Sequence, residues 1–135
     1  MDNAHFSSTA ISAGEYEAAQ AWGLLASINL YGCNKEKITT PAIFKEFLAA
    51  LTKEIDMKAH GEPMIEKFAE GHLEGYSVLQ FIETSSITIH FDDKIGDRAF
   101  IDIFSCKYFD ADKAKAFCQN YFEAKDATCA SMLRN

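Results

Sequence analysis

No segment of this chain gathers lysine and arginine into a cluster, and its 13 basic side chains are outnumbered by 20 acidic ones, for a formal net charge of -7. Phosphate backbones and anionic bilayers are held by clustered cations, so nucleic acid and membrane surfaces are not expected partners. Long apolar runs are missing too. Stretches such as residues 22–30 (WGLLASINL) fall well short of the roughly 20 residues that a membrane-crossing helix needs. The opening MDNAHFSSTAIS has neither the basic start nor the apolar core of a signal peptide, and a cytoplasmic protein is expected. Cysteine is sparse: Cys33, Cys106, Cys118 and Cys129 are scattered and form no Cys-x-x-Cys pair, so neither a disulfide framework nor a zinc site is expected. His5, His60 and His72 have no partners at metal-ligand spacing and read as structural, and no metal is expected. There is no internal repeat and no low-complexity tract.

What is present fits one domain, residues 1–135, with enough chain to bury a core and no room for a separate cofactor-binding domain. Residues 1–13 are small and polar and read as a loose arm reaching to about residue 20, with a short helix in GEYEAAQAW. The segment 22–30 alternates like a strand and leaves through YGCN. Next comes the clearest helix. Thr40 is placed to cap it, Pro41 takes its first position, and Ile43, Phe44, Phe47, Leu48, Leu51 and Ile55 recur at three and four to form one apolar stripe.

The pattern from residue 59 to 71 is ambiguous, with PMIEKFAEG as a possible strand. Three firmer strands follow in GYSVLQFIE, SSITIHF and RAFIDIFSC, whose short connections favour antiparallel pairing. DADKAKAFCQNYFEA is a second amphipathic helix with Asp110 or Asp112 at its start and Ala114, Phe117, Cys118, Tyr121 and Phe122 on one side; ATCASML is a last strand. This order predicts an α+β two-layer sandwich, a mainly antiparallel sheet with its helices on one face. Leu79, Phe81, Phe100 and Phe104 then compete for burial on the other face, which favours a second copy across a two-fold axis, a homodimer.

The run from GYSVLQFIETSSITIHF to FIDIFSC resembles the core of the prokaryotic S-adenosylmethionine decarboxylases, which are self-processing and pyruvoyl-dependent, and the likeness extends from about Trp22 to the last helix. In that family a serine opening a Ser-x-Ile-Ser-Ile-His run becomes the pyruvoyl group, and SSITIH puts Ser85 there. His90 falls on the processing histidine, Ser77 on a second processing serine eight residues upstream of Ser85, and Cys106 on the catalytic cysteine. Singly these residues say little, because a strand histidine is usually packed or solvated and a cysteine is usually a small buried hydrophobe. Their joint spacing carries the signal. One extra residue between His90 and Cys106 fits within the FDDKIGD turn. Cys33, Cys118 and Cys129 read as core or interface residues.

The resemblance implies self-cleavage between Thr84 and Ser85. The Ser85 hydroxyl attacks the Thr84 carbonyl in a strained turn with positioned oxyanion donors, converting amide to ester. A base, His90, then removes the α-proton with Ser77 guiding the ester by hydrogen bonding, and the dehydroalanine left behind hydrolyses to pyruvoyl and ammonia. The pyruvoyl carbonyl forms a Schiff base with the substrate amine and draws in the electrons left when carbon dioxide departs, and Cys106 returns a proton to Cα. Decarboxylated S-adenosylmethionine feeds spermidine and other polyamine synthesis.

Two positions differ from the family pattern. Thr84 stands where a Glu usually precedes the cleaved serine, and Ser86 where a histidine usually follows it. After the processing histidine the family reads Thr-Trp-Pro-Glu, whose Glu holds the ribose hydroxyls, whereas this chain reads Phe91, Asp92, Asp93, Lys94. A lysine only donates. If the nucleoside binds, Phe91 or Phe104 stacks on adenine and Asp92 or Asp93 reaches the ribose; if not, an acidic pocket suits ornithine or arginine. A third reading is an unprocessed binding or regulatory homologue.

Overall fold

A computed structural model of the chain describes residues 6–7 and 10–135. Seven strands form one sheet: β1 (Phe6–Ser7), β2 (Gly23–Tyr31), β3 (Met64–Phe68), β4 (Gly75–Ile82), β5 (Ser85–Asp92), β6 (Arg98–Ser105) and β7 (Asp126–Arg134). Their order is β1-β7-β2-β6-β5-β4-β3, and every neighbouring pair is antiparallel. Three helices, α1 (Ala13–Ala18), α2 (Pro41–Glu54) and α3 (Ala111–Tyr121), accompany it, in the two-layer α+β arrangement that the pattern of elements predicts. Among the described residues no helix is long and apolar enough to cross a membrane.

The alternation of each central strand decides which side the helices cover. Leu24, Ala26, Ile28 and Leu30 of β2, Ile87, Ile89 and Phe91 of β5, and Ala99, Ile101 and Ile103 of β6 are buried in one core with Phe44, Phe47, Leu48 and Leu51 of α2 and Ala114 and Cys118 of α3. Their strand neighbours, such as Thr88, His90, Phe100, Asp102 and Phe104, fall on the opposite side. At the centre of the core Phe44 stacks on Phe91, with ring centroids 4.5 Å apart, and Phe122 meets Phe91 and Phe47 edge-on or tilted at 5.5 and 4.6 Å. Each such side chain contributes about 1.5–3 kcal/mol through burial. At the start of β4 only a glycine fits, because a Cβ on Gly75 would collide with the carbonyl oxygen of Phe91.

Several local expectations need correction. Residues 59–71 do contain a strand, β3, but it is an edge strand whose Ile65 alone is even half-buried, which explains its faint alternation. Thr40 stands at the N-cap position of α2, yet its hydroxyl donates to the Glu36 carbonyl instead of capping. Asp110, not Asp112, caps α3, its Oδ1 accepting from the Lys113 N–H at 3.1 Å. The expected arm is docked from residue 10 onward: Ile11 is buried, and α1 begins at a capping box in which Ser12 and Glu15 satisfy each other's backbone N–H. The earlier part of that arm, residues 1–5 and 8–9 with His5, lies outside the described residues.

Because Phe44 is fully buried and stacked on Phe91, Phe44→Ala should lower the unfolding free energy by about 3–5 kcal/mol, read from the urea midpoint at constant m-value. A loss below 1 kcal/mol would contradict this packing.

Candidate active site at the ends of β5 and β6

The turn between β4 and β5 has only two residues, Glu83 and Thr84, since Ile82 already pairs with Ser85. Favoured two-residue hairpin turns need positive φ at one or both central residues, which a β-branched threonine resists. Neither turn residue adopts it. The departure falls instead on Ser85, whose φ of 153° lies in a region that side chains other than glycine's rarely occupy, at a typical cost of about 1–3 kcal/mol.

The peptide joining Thr84 to Ser85 is held from the adjacent strand end. Ser85 lies opposite Ser105, and the backbone N–H of Cys106 donates to the Thr84 carbonyl at 2.7 Å. The Ser105 hydroxyl donates to Thr84 Oγ1 at 2.8 Å, and that hydroxyl in turn donates to the Met57 sulfur at 3.2 Å. Cys106 is exposed, whereas the other cysteines are withdrawn from solvent. Burial pushes the Cys33 thiol up to about 11 and raises the Cys118 and Cys129 thiols as well. Tyr16 of α1 ties this corner down, its hydroxyl lying 3.2 Å from the Cys106 carbonyl oxygen and 3.3 Å from that of Trp22.

Ser77 and His90 meet elsewhere. They face each other across β4 and β5, with Ser77 Oγ 2.7 Å from His90 Nδ1, and His90 is exposed. His90 lies five positions along β5 from Ser85, about 16 Å at the usual rise. The candidate residues therefore fall into two separate groups, Thr84–Ser85–Cys106 and Ser77–His90, and not one cluster. Beside the Ser77–His90 pair a hollow of about 210 Å³ is lined by Met64, Glu66, Phe68, Leu79 and Thr88.

The substrate candidates divide in the same way. Phe104 lies opposite Ser86 near the β4–β5 turn, where it stacks on Trp22 with centroids 5.8 Å apart and carries the Arg134 guanidinium 4.9 Å above its ring. Trp22, Phe104, Arg134 and Asn135 line an open cleft of about 290 Å³, and a side chain at Gly23 would run into the Phe104 ring. Phe91 does not fit its expected role. It is 5% exposed and stacked inside the core, so it presents no face to a ligand.

Asp92 is committed to the β5–β6 hairpin: its Oδ2 accepts from Arg98 Nε and pairs with Arg98 Nη2, both at 2.8 Å, and its Oδ1 accepts from the N–H groups of Lys94 and Ile95 at 3.0 Å. Burial raises its pKa, but the Ile95, Arg98 and Lys94 hydrogen bonds outweigh that and leave it lowered. Asp93 pairs with Lys94 at 3.0 Å, and Lys94 also reaches Glu74 at 3.7 Å. Neither carboxylate is unpaired. Ser105 and Met57 were not legible beside Thr84, because only the register of β6 and the return of the α2–β3 loop bring them there, and Tyr16 and Trp22 reach the Cys106 carbonyl and Phe104 from α1 and the start of β2.

Comparison with known proteins agrees with this arrangement of strands. The family model described as S-adenosylmethionine decarboxylase matches residues 25–135. Proteins named S-adenosylmethionine decarboxylase proenzyme from Clostridium botulinum strains Langeland (type F) and Okra (type B1) are each 32% identical to the chain over 111 residues, covering 79% of this chain and 89% of theirs. The crystal structure of the adenosylmethionine decarboxylase from Aquifex aeolicus VF5 superposes with a TM-score of 0.70 at 19% identity, covering 85% of this chain and 92% of that one, a likeness of fold.

Proposed function

The chain belongs to the S-adenosylmethionine decarboxylase family, and from that premise we propose that it cuts its own backbone between Thr84 and Ser85 and works as a pyruvoyl-dependent decarboxylase of S-adenosylmethionine. One observation carries the reading: the Cys106 N–H sits on the Thr84 carbonyl next to a Ser85 backbone held at φ 153°. That donor meets the oxygen where negative charge develops when the Ser85 hydroxyl attacks, and the unusual backbone is relieved when the peptide bond opens.

In the first step the bond from Ser85 Oγ to the Thr84 carbonyl carbon forms and the Thr84–Ser85 C–N bond breaks. The hydroxyl proton passes through a base to the freed amine. In the second step the base removes the Ser85 α-proton, the Cβ–Oγ bond breaks, and Thr84 leaves as a carboxylate; tautomerisation and one water then give a pyruvoyl group and ammonia. Such a group supplies a carbonyl that takes up the electron pair released when the substrate loses carbon dioxide. Cys106, exposed at the same strand end, holds the proton that the substrate Cα receives.

The base must come within about 3 Å of Ser85, directly or through one water. His90 of the same chain is too far along β5. A second copy packed on the open sheet face would bring its own Ser77–His90 pair to this Ser85, while covering Met64, Phe81 and Trp22, which are 58%, 53% and 60% exposed. The reading is therefore a homodimer with shared sites. For the substrate, the Trp22–Phe104 cleft offers an aromatic surface beside Cys106 that suits a nucleobase. The pairing of Asp92 with Arg98 and of Asp93 with Lys94 removes the free negative charge that ornithine or arginine would need. Decarboxylated S-adenosylmethionine for spermidine synthesis is the corresponding product.

Three outcomes are expected. By denaturing mass spectrometry the purified protein should consist of residues 1–84 and a blocked piece 85–135, while Ser85→Ala stays whole; a wild-type chain remaining at 15.1 kDa after long incubation near neutral pH would instead support an unprocessed binding protein. Ser85→Ala and His90→Ala, each uncleaved alone, should restore cleavage of the His90→Ala chain when mixed under conditions that exchange subunits, whereas no restoration would contradict shared sites. Cys106→Ala should still be cleaved but release carbon dioxide from S-adenosylmethionine about 10²–10⁴-fold more slowly. Release by the wild type from ornithine or arginine alone would replace the substrate assignment.

A further inference from the structure

We propose that Ser105 is a positioning residue for the self-cleavage, acting through the Thr84 hydroxyl to hold the scissile peptide against Cys106. The proposal rests on the self-processing reading above. Ser105 is fully buried at the end of β6, with Thr84 Oγ1 at 2.8 Å and the Met57 sulfur at 3.7 Å as acceptors for its hydroxyl. It accepts from the Lys107 N–H at 3.0 Å and donates to Thr84 Oγ1 at 2.8 Å, and Thr84 passes the chain on to the Met57 sulfur at 3.2 Å. Of the two acceptors open to Ser105, Thr84 Oγ1 is the nearer by far, and with that bond made each hydroxyl accepts once and donates once.

Both ends of this relay are anchored. Met57 follows α2 directly, with its N–H donating to the Thr52 carbonyl at 2.7 Å; the Glu83 N–H donates to the Lys58 carbonyl at 2.8 Å; and Lys107 Nζ donates to the Asp56 carbonyl at 2.7 Å. The end of α2, the β4–β5 turn and the end of β6 therefore converge on one residue. Thr84 is gripped at its side chain through Ser105 and at its carbonyl oxygen by the next N–H along the same strand, that of Cys106. Two grips from consecutive residues fix rotation about the Thr84 Cα–C bond, which sets the face that the carbonyl carbon presents to the Ser85 hydroxyl. A β-branched residue, restricted at χ1, suits such a grip.

Loss of one grip should misplace the carbonyl by a fraction of an ångström to about 1 Å, for which a roughly 10- to 100-fold slower reaction is the expected scale. The test is the cleavage time course at constant pH of wild type, Ser105→Ala, Ser105→Thr, Thr84→Val and the Ser105→Ala/Thr84→Val double variant, with hydroxylamine added to cut any accumulated ester. Ser105→Ala and Thr84→Val should slow by similar factors, the double variant no further, and Ser105→Thr should recover most of the rate. No hydroxylamine-sensitive ester should build up in the slow variants, because the delay precedes ester formation. Thr84→Val keeps the side-chain shape, so it carries the test even if Ser105→Ala folds poorly. Wild-type rates in Ser105→Ala and Thr84→Val overturn the proposal while leaving self-cleavage standing; a wild-type chain that stays whole overturns both.

Discussion

The pairing of β5 with β6 governs this molecule. From Ser85 opposite Ser105 to Asp92 opposite Arg98, eight residues of β5 are matched in register to eight of β6. That register puts the Cys106 N–H on the Thr84 carbonyl at one end and closes the hairpin with the Asp92–Arg98 ion pair at the other. A slip of one residue would turn Ile87, Ile89, Ile101 and Ile103 out of the core and part the carbonyl from its donor. The apolar strand faces that bury against α2 and α3 are thus what hold this contact in place.

The same alternation leaves the second face of the sheet without helices. Phe81 and Met64 lie there largely uncovered, with the Ser77–His90 pair among them. The Trp22–Phe104 cleft is built from separate segments, since Trp22 enters from the start of β2, Phe104 from β6 and Arg134 from the end of β7.

Much of this was written plainly in the chain. The stripe of Phe44, Phe47, Leu48 and Leu51 and the period-two runs of β4, β5 and β6 each depend on residues close in sequence, and local periodicity reports them directly. Strand β3 was obscure because an edge strand buries too little to show alternation. The role of Phe91 was misread for a different reason: it follows His90 in sequence, and in a strand that adjacency means opposite faces.

The sequence by itself determined the two-layer α+β fold and the spacing of Ser77, Ser85, His90 and Cys106, because period, turn chemistry and motif spacing are all local properties. Only the tertiary structure decided that Cys106 meets the Thr84 carbonyl, that Ser105 and Met57 grip the Thr84 side chain, that Asp92 and Asp93 are already paired, and that His90 lies a strand length from Ser85. Those are contacts between segments brought together by strand register and loop return, and no local pattern encodes the distance between residues that meet only after the sheet has formed.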